Sequence, residues 1–433
     1  MTNVCSECNQ EYDEEDNYRL WCIPCNSTRL KNDFDNWTSG NELIDKFIQE
    51  THQNADYWKV LEWIPYDRFQ DIKQIAKGGF GTIYYANWVN GYIENWSIEN
   101  QQWDRSGQRE VVLKKFNDVV DINEDFLNEM AILTRMGGIS FSLYGITKDS
   151  ETHEYLMVLR YFKGGNLRNY LNNNYNNIDW NIKLLYLKDL AHEFIKIHKL
   201  DIVHRDFHPG NIIKLSLNSA NISITDFGLS KLITKNIKNT KKNTISGVLP
   251  YIAPEVLSGE EYAYSKAVDV YSFAFVAYEL ITGLPPYHDV SHDKSLAFKI
   301  CNGFRPKIPF HTPKWITQIV MRCWDARITH RPTFEELEKE LDKYWSIYYK
   351  GNSEITIQIK EAEEFSKNQT IADTKRTTTP INYKTHPQAI YTSRLLNFSN
   401  LPKPKNEENF EKKLKELTKS MSDLCPSNSD LFI

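Results

Sequence analysis

The stretch His204-Arg205-Asp206-Phe207-His208-Pro209-Gly210-Asn211 follows a strand-like Asp201-Ile202-Val203. An Asp and an Asn five residues apart on one loop suit two tasks. The Asp206 carboxylate can accept a proton from an attacking hydroxyl, and the Asn211 carbonyl can ligate a hard cation through oxygen. Working outward, Asp226-Phe227-Gly228 comes fifteen residues after Asn211, behind the strand-like Ile222-Ser223-Ile224-Thr225, and Ala253-Pro254-Glu255 follows after about one loop length. Towards the N-terminus, Ile75-Ala76-Lys77-Gly78-Gly79-Phe80-Gly81-Thr82-Ile83-Tyr84 is a glycine-rich turn between apolar strand-like stretches. A backbone without Cβ atoms approaches phosphate oxygens closely, and its N–H groups cradle them. Val111-Val112-Leu113-Lys114 then sets a lysine at the end of an apolar strand, and Phe126–Leu133 reads as a helix with Glu129 among apolar neighbours. An inward-facing carboxylate needs a partner, and Lys114 is the natural one. Taken singly, each piece has a bland reading, such as an ordinary glycine hairpin or a solvated edge lysine. Their order and separations carry the inference.

Together these motifs resemble those of a eukaryotic protein kinase over residues 66–346, about two thirds of the chain. Asp269-Val270-Tyr271-Ser272-Phe273 is similar to that family's buried-helix motif. Arg331-Pro332-Thr333 resembles the late arginine that pairs with the glutamate of the Ala-Pro-Glu motif, here Glu255. The flavour is similar to the tyrosine-kinase-like group of Ser/Thr kinases. With the N-terminal cysteines and the stretch containing Trp88, Trp96 and Trp103, it resembles the expanded kinase families of some fungi.

The resemblance implies an α+β, two-lobed fold. The N-lobe (66–161) would be a twisted antiparallel sheet plus one helix. The C-lobe (162–346) would be mainly helical, with Trp180–Lys199 and Asp269–Thr282 as buried helices. It implies transfer of the ATP γ-phosphate to Ser/Thr hydroxyls of protein substrates in signal transduction; the alternative is a pseudokinase scaffold that binds nucleotide and partners without turnover. Carried over by residue, Ile75, Ala76, Lys77, Gly78, Gly79, Phe80 and Gly81 form the loop over the ATP phosphates. Lys114 holds the α- and β-phosphates and is positioned by Glu129. Asp206 orients the hydroxyl and takes its proton, and Asn211 and Asp226 hold Mg²⁺. Leu159 is the gatekeeper, Arg160, Tyr161 and Phe162 form the hinge that reads adenine, and Ile83, Val112 and Ile213 sandwich the purine.

Four departures stand out. Ala76 replaces the first family glycine, and Val111-Val112 replaces Val-Ala. His208 stands where Ser/Thr kinases usually carry a lysine, and Val248 where they carry a threonine. Between Asp226 and Glu255 lie Lys231, Lys235, Lys238, Lys241 and Lys242, interleaved with Thr234, Thr240, Thr244 and Ser246. Such a run is a solvated face, a docking patch for acidic substrates or an autophosphorylated loop. A phosphate on Thr240, Thr244 or Ser246, clamped by Arg205, is expected to raise activity.

The chain has 433 residues, of which 41% are hydrophobic and 25% charged, enough for a sizeable core and two or three domains. No apolar run approaches the roughly 20 residues of a membrane helix, and no secretory signal is readable in MTNVCSECNQ. No membrane association is therefore expected; the expected compartment is the cytoplasm, with the nucleus as alternative. Lys+Arg 52 against Asp+Glu 57 gives a net charge of -5, which argues against nucleic acid as the main partner.

Cys5-x-x-Cys8 and Cys22-x-x-Cys25, thirteen residues apart, read as two knuckles of a structural zinc site. Four thiolates leave no open position for catalysis. Residues 1–30 are accordingly read as a four-cysteine zinc ribbon that metal removal should unfold while sparing the kinase domain. Residues 31–65 read as a helical connector, with Ser39-Gly40-Asn41-Glu42 as a capping pattern and Leu43, Ile44, Phe47 and Ile48 as its apolar face. Residues 347–433, rich in Asn, Lys, Thr, Ser and Glu, are read as a mostly disordered tail with a short charged helix at 407–421.

Overall fold

Strand β6 (Arg109–Phe116) shows how the alternating pattern builds the first half of the molecule. Val111 and Leu113 point into a buried cluster with Ala86, Trp88, Leu156 and Val158. Period-two alternation therefore sends Val112 and Lys114 to the other face. The computed structural model describes residues 4–12, 21–53, 60–78, 81–116, 124–137, 143–216, 221–232, 245–260, 265–351, 353–372 and 384–422. The chain divides into two compact units, Met1–Tyr161 and Phe162–Ile433.

In chain order the first unit contains α1 (Ile23–Asn32), α2 (Glu42–His52), β1 (Glu62–Trp63), β2 (Phe69–Lys77), β3 (Gly81–Trp88), β4 (Ile93–Ser97), β5 (Gln102–Arg105) and β6. It ends with α3 (Glu124–Met136), β7 (Leu143–Lys148) and β8 (Tyr155–Arg160). Six strands form a sheet in the order β1-β7-β8-β6-β3-β2. Its pairings are antiparallel except β1 with β7. β4 and β5 make a separate hairpin.

The N-terminal cysteines sit on a turn and a helix. Val4 bridges Glu11, and Cys22 is the N-cap of α1, so the second cysteine pair opens a helix that runs past residue 30 to Asn32. This module packs on the β4–β5 hairpin. Trp21, Leu30 and Ile93 form one buried cluster, Trp21 stacks on Trp103 at 5.8 Å, and Arg29 lies 4.8 Å from the Trp96 ring centroid. The cap of α2 is Asn41, whose Oδ1 accepts from Leu43 N (2.9 Å) and Ile44 N (3.4 Å), rather than Ser39. Gly40 turns the chain at φ +76° between them, and Ser39 Oγ donates instead to Asp45. Ile44 and Ile48 are buried, but Leu43 is 57% exposed and lies off the apolar face.

The second unit begins with α4 (Leu167–Asn174) and α5 (Trp180–Lys199) and continues with β9 (Ile202–Val203), β10 (Ile212–Lys214), β11 (Ile222–Ile224), β12 (Lys231–Leu232) and β13 (Ile245–Gly247). Then come α6 (Pro254–Ser258), α7 (Ala267–Thr282), α8 (Lys294–Cys301), α9 (Lys314–Cys323), α10 (Phe334–Lys350), α11 (Glu354–Ala372), β14 (Arg394–Leu396) and α12 (Phe410–Ser422). α5 occupies the range its pattern predicts, capped by Asp179, which accepts from Ile182 N at 2.9 Å. α7 is buried on all sides from Val268 to Ile281, as a helix without a polar face must be. Thr333 and Glu336 form a capping box that starts α10. The expected Glu255–Arg331 pair forms with both side chains fully buried, at 2.6 and 2.8 Å. Cys301 and Cys323 are plain buried thiols.

The expectation of a mostly disordered tail does not hold for its described residues. α10 itself runs to Lys350, past the expected boundary at 346. Ile355, Ile359 and Ala362 of α11 are buried, as are Leu396 and Phe410. Asn406 exchanges hydrogen bonds with Asp325 and Ala326 N at 2.8 Å each, Lys405 N donates to Cys301 O (2.9 Å), and Gln318 bonds Thr418 on α12 (2.9 Å). Few apolar residues are involved, one face of α11 and single side chains elsewhere, so mean composition hides them. Among the described residues no helix is long and apolar enough to cross a membrane.

Candidate functional site

In the first unit, β2 and β3 form the glycine-rich hairpin. Gly78 N donates to Gly81 O at 2.8 Å; Gly79 and Phe80 lie outside the described residues. A Cβ on Gly81 would come within 2.6 Å of Lys115 O, so only glycine lets β3 run this close to β6. Ile75, Ala76 and Lys77 are exposed along β2. Ile83 stands opposite Lys114, and Val112 opposite Leu159. Those four therefore share the face turned away from the core. Arg160 pairs in register with Val111, and Tyr161 meets Tyr85 edge-on at 5.2 Å.

Lys114 Nζ donates to both Glu129 oxygens, at 2.6 and 2.9 Å, and both side chains are buried. A buried pair gains little net stability, because desolvation offsets attraction. What it does is hold an ammonium at a defined point on the sheet. Removing one partner from a buried pair of this kind costs about 3–5 kcal/mol.

In the second unit, the loop carrying Asp206 is anchored from below by Asp269 of α7. Asp269 Oδ2 accepts from His204 N and His198 Nε2 (2.9 Å each), and Oδ1 accepts from Arg205 N (3.0 Å). These bonds hold Arg205 at φ +69°, a left-handed conformation costing a non-glycine residue about 1–2 kcal/mol. His204 Nε2 faces Thr225 O at 3.0 Å, and a carbonyl only accepts, so Nε2 carries the proton. Its Nδ1 is then free to accept from Asp206 N at 3.3 Å. Burial pushes the His204 pKa down, against the pull of Asp269 and Asp206, and keeps the ring neutral.

Asn211 Nδ2 donates to Asp206 O (2.9 Å) and Asp206 Oδ2 (3.3 Å). Asn211 O accepts from Thr225 N at 2.7 Å, which ties the loop to β11 and to Asp226 beyond it. Asp226 is exposed, at φ +64°. Its Oδ1 lies 3.5 Å from Gly228 N. Ile213 is half-buried and bridges Asn166, and Phe162 opens the unit. A carboxylate, an amide and a second carboxylate thus lie on two loops joined by backbone bonds. Oxygen donors of this kind suit Mg²⁺. Arg205 Nη1 donates to Leu229 O at 3.3 Å, and Ser246 lies in β13; Thr240 and Thr244 are outside the described residues.

The Sγ atoms of Cys5, Cys8, Cys22 and Cys25 lie within 4.8 Å of one another, with Cys5–Cys25 at 3.9 Å and Cys8–Cys22 at 3.5 Å. A zinc tetrahedron with Zn–S bonds of about 2.3 Å sets sulfurs roughly 3.8 Å apart. Burial pushes the Cys22 thiol up to about 11. Burial also acts to raise Cys5, but the backbone N–H groups of Cys8 and Glu7 override it and bring that thiol down to about 7. Four thiolates this close repel unless a cation compensates them, so the donor set is compatible with zinc.

Several interacting residues of the second unit, one of them on Asp206, were not singled out in the sequence. Arg168 of α4 donates to Glu279 (3.1 Å), Tyr251 (2.8 Å) and Tyr391 O (3.0 Å). Ser393 donates to Asp206 itself. The available signal was Tyr391-Thr392-Ser393-Arg394-Leu395-Leu396, a short run with an aromatic and two leucines inside a polar tail.

Comparison with known proteins agrees with this arrangement. The family described as protein tyrosine and serine/threonine kinase matches residues 69–341. Serine/threonine-protein kinase VIK of Arabidopsis thaliana is 28% identical over 282 residues, 64% of this chain and 60% of that protein. The probable serine/threonine-protein kinase drkD of Dictyostelium discoideum is 27% identical over 305 residues, 69% of this chain and 22% of that protein. A putative serine/threonine-protein kinase/receptor of Acanthamoeba polyphaga mimivirus is 26% identical over 339 residues, 73% of this chain and 18% of that protein. The chain spans less than two thirds of the length of each of these relatives. On its matched span and its anchored motifs, the chain belongs to the protein tyrosine and serine/threonine kinase family.

Proposed function

We propose that this chain is an active protein kinase that transfers the γ-phosphate of ATP to Ser/Thr hydroxyls of protein substrates in signal transduction. The observation that carries the reading is the loop of Asp206, fixed by Asp269, His204 and Asn211 with one carboxylate oxygen turned to a hydroxyl. In the first unit, Lys114, fixed by Glu129, would hold the α- and β-phosphates, under the hairpin of Gly78 and Gly81. Ile83, Val112 and Leu159 offer the apolar face for adenine, and the backbone of Arg160 and Tyr161 its polar edge. In the second unit, Asp206 would align the acceptor hydroxyl and take its proton, a contribution of about 10²–10⁴-fold. Asn211 and Asp226 would hold Mg²⁺, which supplies neutralisation of phosphate charge when bound.

His208 stands where the family's lysine would, and its ring lies beside Asp206, with Nε2 3.7 Å from Oδ2. The relatives' names support Ser/Thr rather than Tyr specificity, and the motifs support the tyrosine-kinase-like group. The four cysteines would carry a structural Zn²⁺. The test is incubation of the purified chain with Mg²⁺ and γ-labelled ATP and an unrelated acceptor protein, followed by phosphoamino-acid analysis. Labelled serine or threonine is expected. ATP binding without any label would instead indicate a scaffold.

A further inference from the structure

The strand β13 lies against the Asp206 carboxylate. Gly247 has φ +135°, and a Cβ there would come within 3.2 Å of Asp206 Oδ1. Whatever pairs with β13 is therefore delivered to Asp206. Here β14 of the tail does so, antiparallel, with Ile245 opposite Leu396, Ser246 opposite Leu395 and Gly247 opposite Arg394. The residue before the strand, Ser393, donates its hydroxyl to Asp206 Oδ2. Among the described residues, Asp206 Oδ1 has no hydrogen-bond partner.

His208 completes the arrangement. Its Nδ1 accepts from Gly210 N at 3.1 Å, which leaves the proton on Nε2, 3.3 Å from Ser393 Oγ. The hydroxyl thus gives its proton towards a carboxylate and receives a hydrogen bond from an imidazole. That is the orientation a nucleophilic oxygen needs, with its proton on the base and a lone pair left over.

The docking is specific along the strand's approach. Arg168 donates to Tyr391 O (3.0 Å), Tyr391 OH donates to Pro286 O (2.8 Å), and His292 Nδ1 lies 3.1 Å from Ile390 N. Arg394 donates to His292 O (2.6 Å), and Leu396 is buried whereas Leu395 is 62% exposed. Main-chain pairing supplies attachment and alternate side chains supply selectivity, the logic of strand addition to a sheet edge.

We propose that Ser393 is a phosphoacceptor, presented to Asp206 of the same chain, and that the unphosphorylated tail closes the acceptor site to other proteins. This rests on the phosphotransfer reading above. Ser393 Oγ attacks the γ-phosphorus of ATP and its proton passes to Asp206 Oδ2. The Oγ–P bond forms, the bond from the γ-phosphorus to the bridging oxygen breaks, and ADP leaves with the electron pair. The product carries about -1.5 to -2 charges beside a buried carboxylate. Like charges at that distance expel the strand, which frees β13 and Asp206 for protein substrates.

The test uses the full chain, dephosphorylated, with Mg²⁺–ATP and an unrelated acceptor protein such as casein in the same tube. Phosphosites are mapped by mass spectrometry over time. Expected are phosphate on Ser393 ahead of casein, and a lag in casein labelling that ends as Ser393 fills. Ser393→Ala should lose the tail phosphate and keep casein labelling at the slow early rate, about tenfold below the final rate, or about 1.4 kcal/mol of docking. Ser393→Thr should restore both tail label and lag, which guards against a folding defect. Labelled casein with unlabelled Ser393 overturns the proposal and leaves the kinase reading standing. No label on either overturns the kinase reading and this proposal with it.

Discussion

The described residues of 4–53 and of 353–422 lie outside the span that matches the kinase family, and each set is folded onto its own unit by different means. The N-terminal segment brings four thiols within 4.8 Å of one another and shares an aromatic core with the β4–β5 hairpin, Trp21 stacked on Trp103. The C-terminal segment seats one apolar helix face, Ile355, Ile359 and Ala362 of α11, and beyond that brings little apolar core. It borrows a strand edge, a carbonyl here and an arginine there, and seats single side chains such as Leu396 and Phe410. Attachment through a shared aromatic core suits a structural role. The segment held by strand pairing and separate anchors is the one that lies on Asp206.

The largest expected effect separates the two attachments by removing the first. If the four cysteines hold zinc as proposed, stripping it, or Cys8→Ser, removes a metal contribution of about 10–16 kcal/mol in small modules. The sequence alone predicts a bead that unfolds by itself. Trp21, Leu30 and Ile93 share one cluster with the β4–β5 hairpin, so the melting temperature of the first unit should fall as well. Calorimetry checks this, and an unchanged kinase-domain transition would mean the segment is independent after all. Elemental analysis without zinc would remove the site altogether.

Next in size is Asp206→Asn. Turnover should fall about 10²–10⁴-fold, with Mg²⁺–ATP affinity nearly intact by titration calorimetry, because Asp206 serves the hydroxyl. Turnover near wild type would break the assignment. A smaller effect belongs to the tail. Leu396→Asp places a charge at a buried strand position and should release β14, so that casein labelling starts without a lag while thermal stability barely changes. An unaltered lag would show that the strand is not what covers Asp206.

The smallest effect is a pH dependence. His52 of α2 is buried with Nε2 2.6 Å from Leu61 O, and burial lowers its pKa below the usual histidine value, against the pull of Asp33. Folded His52 therefore stays neutral where the unfolded chain takes a proton. Its contribution to stability is full above about pH 6.5 and is lost as pH falls below that. His52→Gln should flatten the acid side of the first unit's melting curve against pH. A slope unchanged by the substitution would contradict this.

The comparison also explains what the sequence made legible. Lys114, Glu129, Asp206, Asn211 and Asp226 stand out in the sequence because phosphoryl chemistry would admit few residue types at few spacings, and the cysteines, which the fold does bring together, because thiolate ligation would do the same. The α2 cap was misplaced by two residues because Ser39 and Asn41 both have a capping side chain, and the turn at Gly40 decides between them. α11 did leave a signal, since Ile355, Ile359 and Ala362 recur at helical spacing. The polar average of the tail concealed it. β14 left almost none, because strand pairing is written in backbone N–H and C=O groups that every residue carries.

The central claim is that the tail is a substrate of its own chain, and the dependence of Ser393 phosphorylation on chain concentration tests it most directly. Dephosphorylated full-length protein is mixed with Mg²⁺–ATP over a wide range of concentrations, and the half-time of Ser393 labelling is read by mass spectrometry. Presentation of Ser393 to the Asp206 of its own chain predicts a half-time independent of concentration. A half-time that shortens in proportion to concentration, or a Ser393 that never fills while casein does, would contradict it.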